Sequence, residues 1–177
     1  MNSALRRTQI SVIGAAHASP ALLAEAETLG RLLVEAGFRV ITGGLGGVME
    51  AVSRGARAAA GETDGRVIGI LPGDDAAAAN EAVDVAIPTG LGYARNVIVV
   101  ASGDVVVAVG GRSGTLSEIA LAWQAGKPLI ALDTGEGWSS RLADQAIDDK
   151  RDDRLYRATS ARGVVDRIEA LLAPQTG

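Results

Sequence analysis

The sequence predicts one α/β domain, a doubly wound parallel sheet with helices on both faces. Three observations carry that reading. Short β-branched runs alternate with longer alanine-rich amphipathic stretches, the pattern of successive βαβ units. The run VVVAV at 105–109 is apolar at every position, as a strand covered on both faces must be. Of the 177 residues, 47% are hydrophobic but only 3% aromatic, so the core is built from Val, Ile, Leu and Ala. That length suits a single domain over residues 1–177.

The first strand is predicted at 10–14. Ser19-Pro20 opens a helix with Leu22, Leu23, Ala26, Leu29, Leu32 and Leu33 at helical spacing, and Gly37 stops it. A second strand, 38–42, runs into a glycine-rich turn, GGLGG, and then a helix at 48–60. GETDG, 61–65, is a loop. A third strand at 67–71 ends in PGDD, and 76–79 reads either as a helical turn or as a loop. A short strand at 83–88 is followed by a helix at 94–102, a strand at 105–109, a helix at 115–125 and a strand at 128–132. A strand near 155–158 precedes a last helix, 163–172, with Thr159 or Ser160 as its cap.

Composition removes several chemistries. Without cysteine there are no disulfides, thiol nucleophiles or Cys-ligated metals. With His17 as the single histidine, neither a His-rich zinc site nor a Ser-His-Asp triad is expected, and no metal site is predicted. A net charge of −4 argues against nucleic acid as a partner. No apolar run reaches the roughly 18 to 20 residues of a membrane span. The opening MNSALRRTQI lacks the apolar run of a signal peptide, so a cytoplasmic location is expected.

Two glycine clusters stand between a strand end and a helix start, where backbone N–H groups and the helix dipole favour an anion. The first contains Gly43, Gly44, Gly46, Gly47 and Met49. It reads as a phosphate cradle, or else as a tight strand-to-helix turn with close packing. The second runs from Gly110 to Glu118. Here the amides of Gly111, Ser113, Gly114 and Thr115 are expected to converge on one oxyanion, with the Thr115 hydroxyl as a further donor. Glu118 either completes a capping box with Thr115 or takes part in the chemistry. No Lys-Ser or Lys-Thr ends either cluster, so neither is a Walker A loop. Gly14 is the only glycine of the first strand-to-helix turn and no acidic residue ends the second strand, so the NAD fingerprint is missing. Gly14 is still counted among the ligand-binding residues.

A third segment, 88–96, carries Thr89, Arg95 and Asn96. Arg95 heads an apolar stretch, where a guanidinium needs a reason to be present, and phosphate or carboxylate contact is favoured over an ordinary surface position. His17 reads more readily as a surface residue than as part of the site. Asp74 and Asp75 read as a solvated turn ahead of a ligand or metal role. Trp123 reads as core or interface.

Together the GG-x-GG-V-M turn, the G-Y-A-R-N segment and the G-G-x-x-G-T-x-x-E motif resemble a Rossmann-like superfamily often labelled "lysine decarboxylase". It includes the cytokinin-activating "lonely guy" phosphoribohydrolases and the molybdenum cofactor carrier proteins. The resemblance covers residues 11–132. In the enzymes a proline stands where this chain has Val109, and Met-His-x-Arg-Lys where it has Gly92-Tyr93-Ala94-Arg95-Asn96. T-G-L-G-x-A-R-N, from Thr89, and I-L-P-G, from Ile70, are similar to the carrier-like branch.

The resemblance implies a homodimer or higher homo-oligomer that binds a phosphorylated small molecule. For a carrier, the molybdenum cofactor is cargo, and no cofactor is required for folding. For an enzyme, Arg95 and Glu118 are the catalytic residues, and a nucleoside 5′-monophosphate is split to free base and ribose 5-phosphate. The carrier reading leads, the phosphoribohydrolase follows, and an oligomeric regulatory scaffold is third.

Overall fold

The computed structural model describes residues 6–60 and 65–173, so the predicted loop at 61–65 lies, except for Gly65, outside the described residues. The chain alternates as β1 (Gln9–Gly14), α1 (Pro20–Glu35), β2 (Arg39–Thr42), α2 (Val48–Ala60), β3 (Val67–Leu71), β4 (Val85–Pro88), α3 (Asn96–Ser102), β5 (Val105–Val109), α4 (Ser113–Gln124), β6 (Leu129–Leu132), α5 (Gly137–Leu142), β7 (Tyr156–Ala158) and α6 (Ala161–Leu172). Every strand pair is parallel, in the order β4-β3-β2-β1-β5-β6-β7. The chain winds outward from β1 to β4, returns to pair β5 with β1, and winds outward again to β7.

Alternation along β5 divides the core. Val105, Val107 and Val109 face α1, α2 and α6 together with Leu29, Val52 and Ile168. Val106 and Ala108 face α3, α4 and α5 together with Val99, Ile119 and Trp123. A strand buried on both faces cannot be half polar, which is why VVVAV is apolar throughout.

Local signals account for the helix ends. Ser19 caps α1, its hydroxyl accepting the Leu22 N–H at 3.2 Å, with Pro20 at the first position. Ser160, one of the two expected caps, accepts the Gly163 N–H at 3.1 Å and starts α6 at Ala161, two residues before the predicted start at 163. The segment left open as turn or loop is a 3-10 turn at Ala76–Ala78, capped by Asp75 accepting from Ala77 at 2.8 Å.

Three expectations are corrected. α4 begins at Ser113, two residues before the predicted start, because Thr115 is not its cap. The helix predicted from 94 is α3 preceded by a separate 3-10 turn, Gly92–Arg95. α5 was not predicted: six residues rich in Gly and Ser carry too short an apolar pattern to read as a helix.

Candidate functional site

β1 leads into α1 on one face of the sheet, while its neighbour β5 leads into α4 on the other. The connections diverge there and leave a crevice at the strand carboxyl ends, the usual ligand position in open α/β sheets. A cavity of about 260 Å³ lies at this point. Gly14, Ala15 and Ala16 come to it from the end of β1, and Gly43, Leu45 and Met49 from the first glycine cluster. Tyr93, Arg95 and Asn96 come from the turn before α3, and Arg112, Gly114, Thr115 and Glu118 from the start of α4.

Arg95 and Glu118 are each only 8% exposed. Neither side chain forms a hydrogen bond or an ion pair with any described residue, and Nε of Arg95 is fully buried without a partner. An unpaired buried charge is costly, so such a pair marks a site built for something other than stability. Burial holds the Arg95 guanidinium below its ordinary range, against the pull of the Glu118 carboxylate. Burial also pushes the Glu118 carboxyl up to about 7, with Arg95 opposing the rise. Gly43 makes room for the arginine: a Cβ there would collide with its guanidinium and with the Met49 sulfur.

The start of α4 completes the wall. Its cap residue, Arg112, gives no side-chain hydrogen bond to the first turn. The amides of Ser113, Gly114 and Thr115 have no acceptor within the helix, so this terminus is open to an anion. Thr115 is the third helical residue rather than the cap, so it forms no capping box with Glu118, and both line the cavity.

The other three long helices entering from this edge are occupied, α6 by the Ser160 hydroxyl, which accepts the Gly163 N–H at 3.1 Å, and by the Glu25 carboxylate, which accepts the Ala161 N–H. At α1, Glu136 accepts the Ser19 N–H at 3.2 Å and the Ser19 hydroxyl at 2.7 Å. At α2, the Val48 N–H donates to the Ala15 carbonyl at 2.9 Å.

Of the residues named from sequence, Gly14, Gly43, Met49, Arg95, Asn96, Gly114, Thr115 and Glu118 line the cavity. Gly44, Gly46, Gly47, Thr89, Gly110, Gly111 and Ser113 are not among its lining residues. Gly44 packs on Gly69 and Leu71. Gly47, at φ +68°, lies against the Ala15 and Ala16 carbonyls, where no Cβ fits. Gly46 borders a separate groove between α2 and the 3-10 turn. The Thr89 hydroxyl donates to the Leu71 carbonyl at 2.7 Å.

Gly110 and Gly111 serve α5. The Gly110 N–H donates to the Ser139 hydroxyl at 2.7 Å, and the two glycine carbonyls accept the Ser139 and Trp138 N–H groups, each at 3.0 Å. The Ser139 hydroxyl donates in turn to the Leu132 carbonyl at 2.8 Å.

His17 is exposed and borders the cavity, whereas Asp74 and Asp75 do not reach it. Trp123 is core, with its indole N–H donating to Asp148 at 2.8 Å and Arg151 stacked 4.4 Å from its ring centre. No cluster of three His, Cys, Asp or Glu suited to a metal occurs among the described residues. Nor is any helix among them long and apolar enough to cross a membrane.

Sequence reasoning passed over Tyr93, Arg112, Leu45, Ala15 and Ala16 as lining residues. Tyr93 and Arg112 lie inside motifs already singled out. Ala15-Ala16 signals only that small side chains follow β1.

The fold and the crevice define a Rossmann-like domain with a cleft at the switch point between β1 and β5. The chain belongs to the SLOG cluster4 family, whose profile matches residues 7–165. It is 38% identical to the molybdenum cofactor binding protein of the phototrophic bacterium Rippkaea orientalis, with a TM-score of 0.83 over 96% of this chain and 100% of that one. The molybdenum cofactor carrier protein of Chlamydomonas reinhardtii is 33% identical, with a TM-score of 0.79 over 94% of this chain and 99% of that one. A protein of Archaeoglobus fulgidus is 42% identical over 128 residues, 72% of this chain and 82% of the relative.

Proposed function

We propose that this protein binds a phosphorylated pterin of the molybdenum cofactor type and carries it as cargo. The observation that supports this most is the unpartnered Arg95, buried beside the uncapped start of α4 in one cleft. An arginine fork and the free amides of Gly114 and Thr115 suit a phosphate monoester. The near-full-length likeness to proteins named for molybdenum cofactor binding or carriage supplies the pterin. Carriage requires no nucleophile, and this chain has no cysteine. The test is equilibrium binding of isolated molybdenum cofactor to wild type and to Arg95→Met. Wild type binds, and the variant loses at least about 100-fold in affinity, since each charge-assisted hydrogen bond is worth about 1.5–3 kcal/mol, while its unfolding midpoint does not fall. Equal affinity in the two proteins refutes the assignment.

Glu118 supports a second reading. A carboxyl that ionises near pH 7 suits stabilisation of an oxocarbenium-like ribosyl cation, or activation of water, in cleavage of a nucleoside 5′-monophosphate. Incubation with AMP then yields free adenine and ribose 5-phosphate. Release by wild type but not by Glu118→Gln selects the hydrolase, and no release by wild type removes it. Homo-oligomerisation belongs to either reading. It is supported by the exposed apolar side chains Val85 and Ile87 on β4 and Val97 on α3, and light scattering tests it.

A further inference from the structure

Tyr93 is the one aromatic ring among the described residues that nothing packs against. Trp123 and Trp138 pack with the core on one face of the sheet, and Phe38 and Tyr156 with the core on the other. Tyr93 is 91% exposed and still borders the cavity. A bare ring at the mouth of a cleft leaves apolar area in water for no structural return.

The backbone sets this placement firmly. Gly90 and Gly92 both take positive φ, at +65° and +55°. Their N–H groups donate to the Gly73 and Pro72 carbonyls, each at 2.9 Å, which pins the turn to the end of β3. One 3-10 turn therefore presents Tyr93 outward while Arg95, two residues on, is buried in the cleft. Leu45 and Met49 add apolar wall to the same cavity. The arrangement offers an anion site at depth and an aromatic face at the rim.

We propose that Tyr93 is a specificity-determining residue that stacks on a planar heteroaromatic ring whose phosphorylated end sits on Arg95 and the first turn of α4. This rests on the anion reading of the cleft given above. It adds which residue recognises the ring, a pterin or a purine, and so sets such a ligand apart from a simple sugar phosphate. Stacking of this kind favours a ring-bearing ligand by roughly tenfold.

The experiment compares the phosphate monoester of 6-hydroxymethylpterin and AMP with ribose 5-phosphate, which presents an anion without a ring. Affinities are measured for wild type, Tyr93→Phe and Tyr93→Ala, with the mass of each protein in solution recorded alongside. Wild type is expected to prefer at least one ring-bearing probe by about tenfold. Tyr93→Phe keeps that preference; Tyr93→Ala loses it and binds ribose 5-phosphate as wild type does.

A ring preference that survives Tyr93→Ala overturns the assignment of Tyr93 and leaves the anion site standing. Equal loss for all probes together with a change in mass makes Tyr93 a subunit contact, with Leu91 and Val97 beside it, and overturns the proposal too. If wild type binds none of the probes, the anion reading itself fails and the stacking role with it.

Discussion

After β2 the glycines, Gly46 apart, are spent on contacts within the protein; after β5 part of the loop is left facing open space. Gly44 and Gly47 sit where a Cβ would strike Leu71 or the Ala15 and Ala16 carbonyls, and the Asn80 side chain ties down the Leu45 carbonyl at 3.0 Å. Gly110 and Gly111 likewise serve α5, but Gly114, the second residue of α4, has nothing within 4 Å of a would-be Cβ. The difference teaches that a glycine-rich strand-to-helix turn has two separable uses. One lets backbone reach backbone, and the other leaves a helix terminus bare.

Substitutions at matched positions break or sharpen this contrast. The largest effect is expected for Gly47→Ala, which combines a left-handed backbone with a collision against a neighbouring main chain. It costs about 3 kcal/mol or more and lowers Tm by about 10 °C, read by calorimetry.

Glu118→Gln comes next and depends on pH. Folded wild type holds the Glu118 proton up to about pH 7, whereas the unfolded chain releases it near 4.5. Between those values the folded state binds more protons, so this residue's contribution to stability falls as pH rises, by up to on the order of 3 kcal/mol. Urea unfolding at pH 5 and pH 8 tests this. The Gln variant gains on wild type at the higher pH, and an unchanged gap between the two proteins refutes the assignment.

Asn80→Ala removes the bond to the Leu45 carbonyl and costs about 1 kcal/mol in the same unfolding assay. The smallest change is Gly114→Ala, which has room for its methyl and moves stability by no more than about 0.5 kcal/mol. A Gly114→Ala protein as unstable as Gly47→Ala would erase the distinction between the two loops.

The sheet was legible because its signal is local. Val105–Val109 announces a doubly buried strand, and Ser19-Pro20 announces a helix start, without reference to the rest of the chain. Arg95 was legible as a charge heading an apolar run, which a helix face alone does not explain. The purpose of each glycine was not legible. Gly43 and Gly47 are identical in sequence terms, but one meets the guanidinium of a residue far along the chain and the other meets a carbonyl after β1. Tyr93 was hidden for a related reason, since exposure is decided by what other elements decline to cover. α5 escaped because its order derives from Ser139 bonding to Gly110 and Leu132, contacts that only the folded sheet brings together.

Those Ser139 bonds bear on how quickly and tightly a ligand is held. Buried between β5 and β6, the serine fixes the loop that leads into α4 before any ligand arrives. The ordering entropy of that loop is met once, during folding, rather than at each encounter. Association of an anion as proposed would then carry little penalty for arranging backbone amides or for desolvating the already buried Arg95 and Glu118, and its remaining cost would be the stripping of water from the anion itself. Binding to this cleft should therefore proceed at a rate set by diffusion and desolvation, with only a small heat-capacity change from chain ordering.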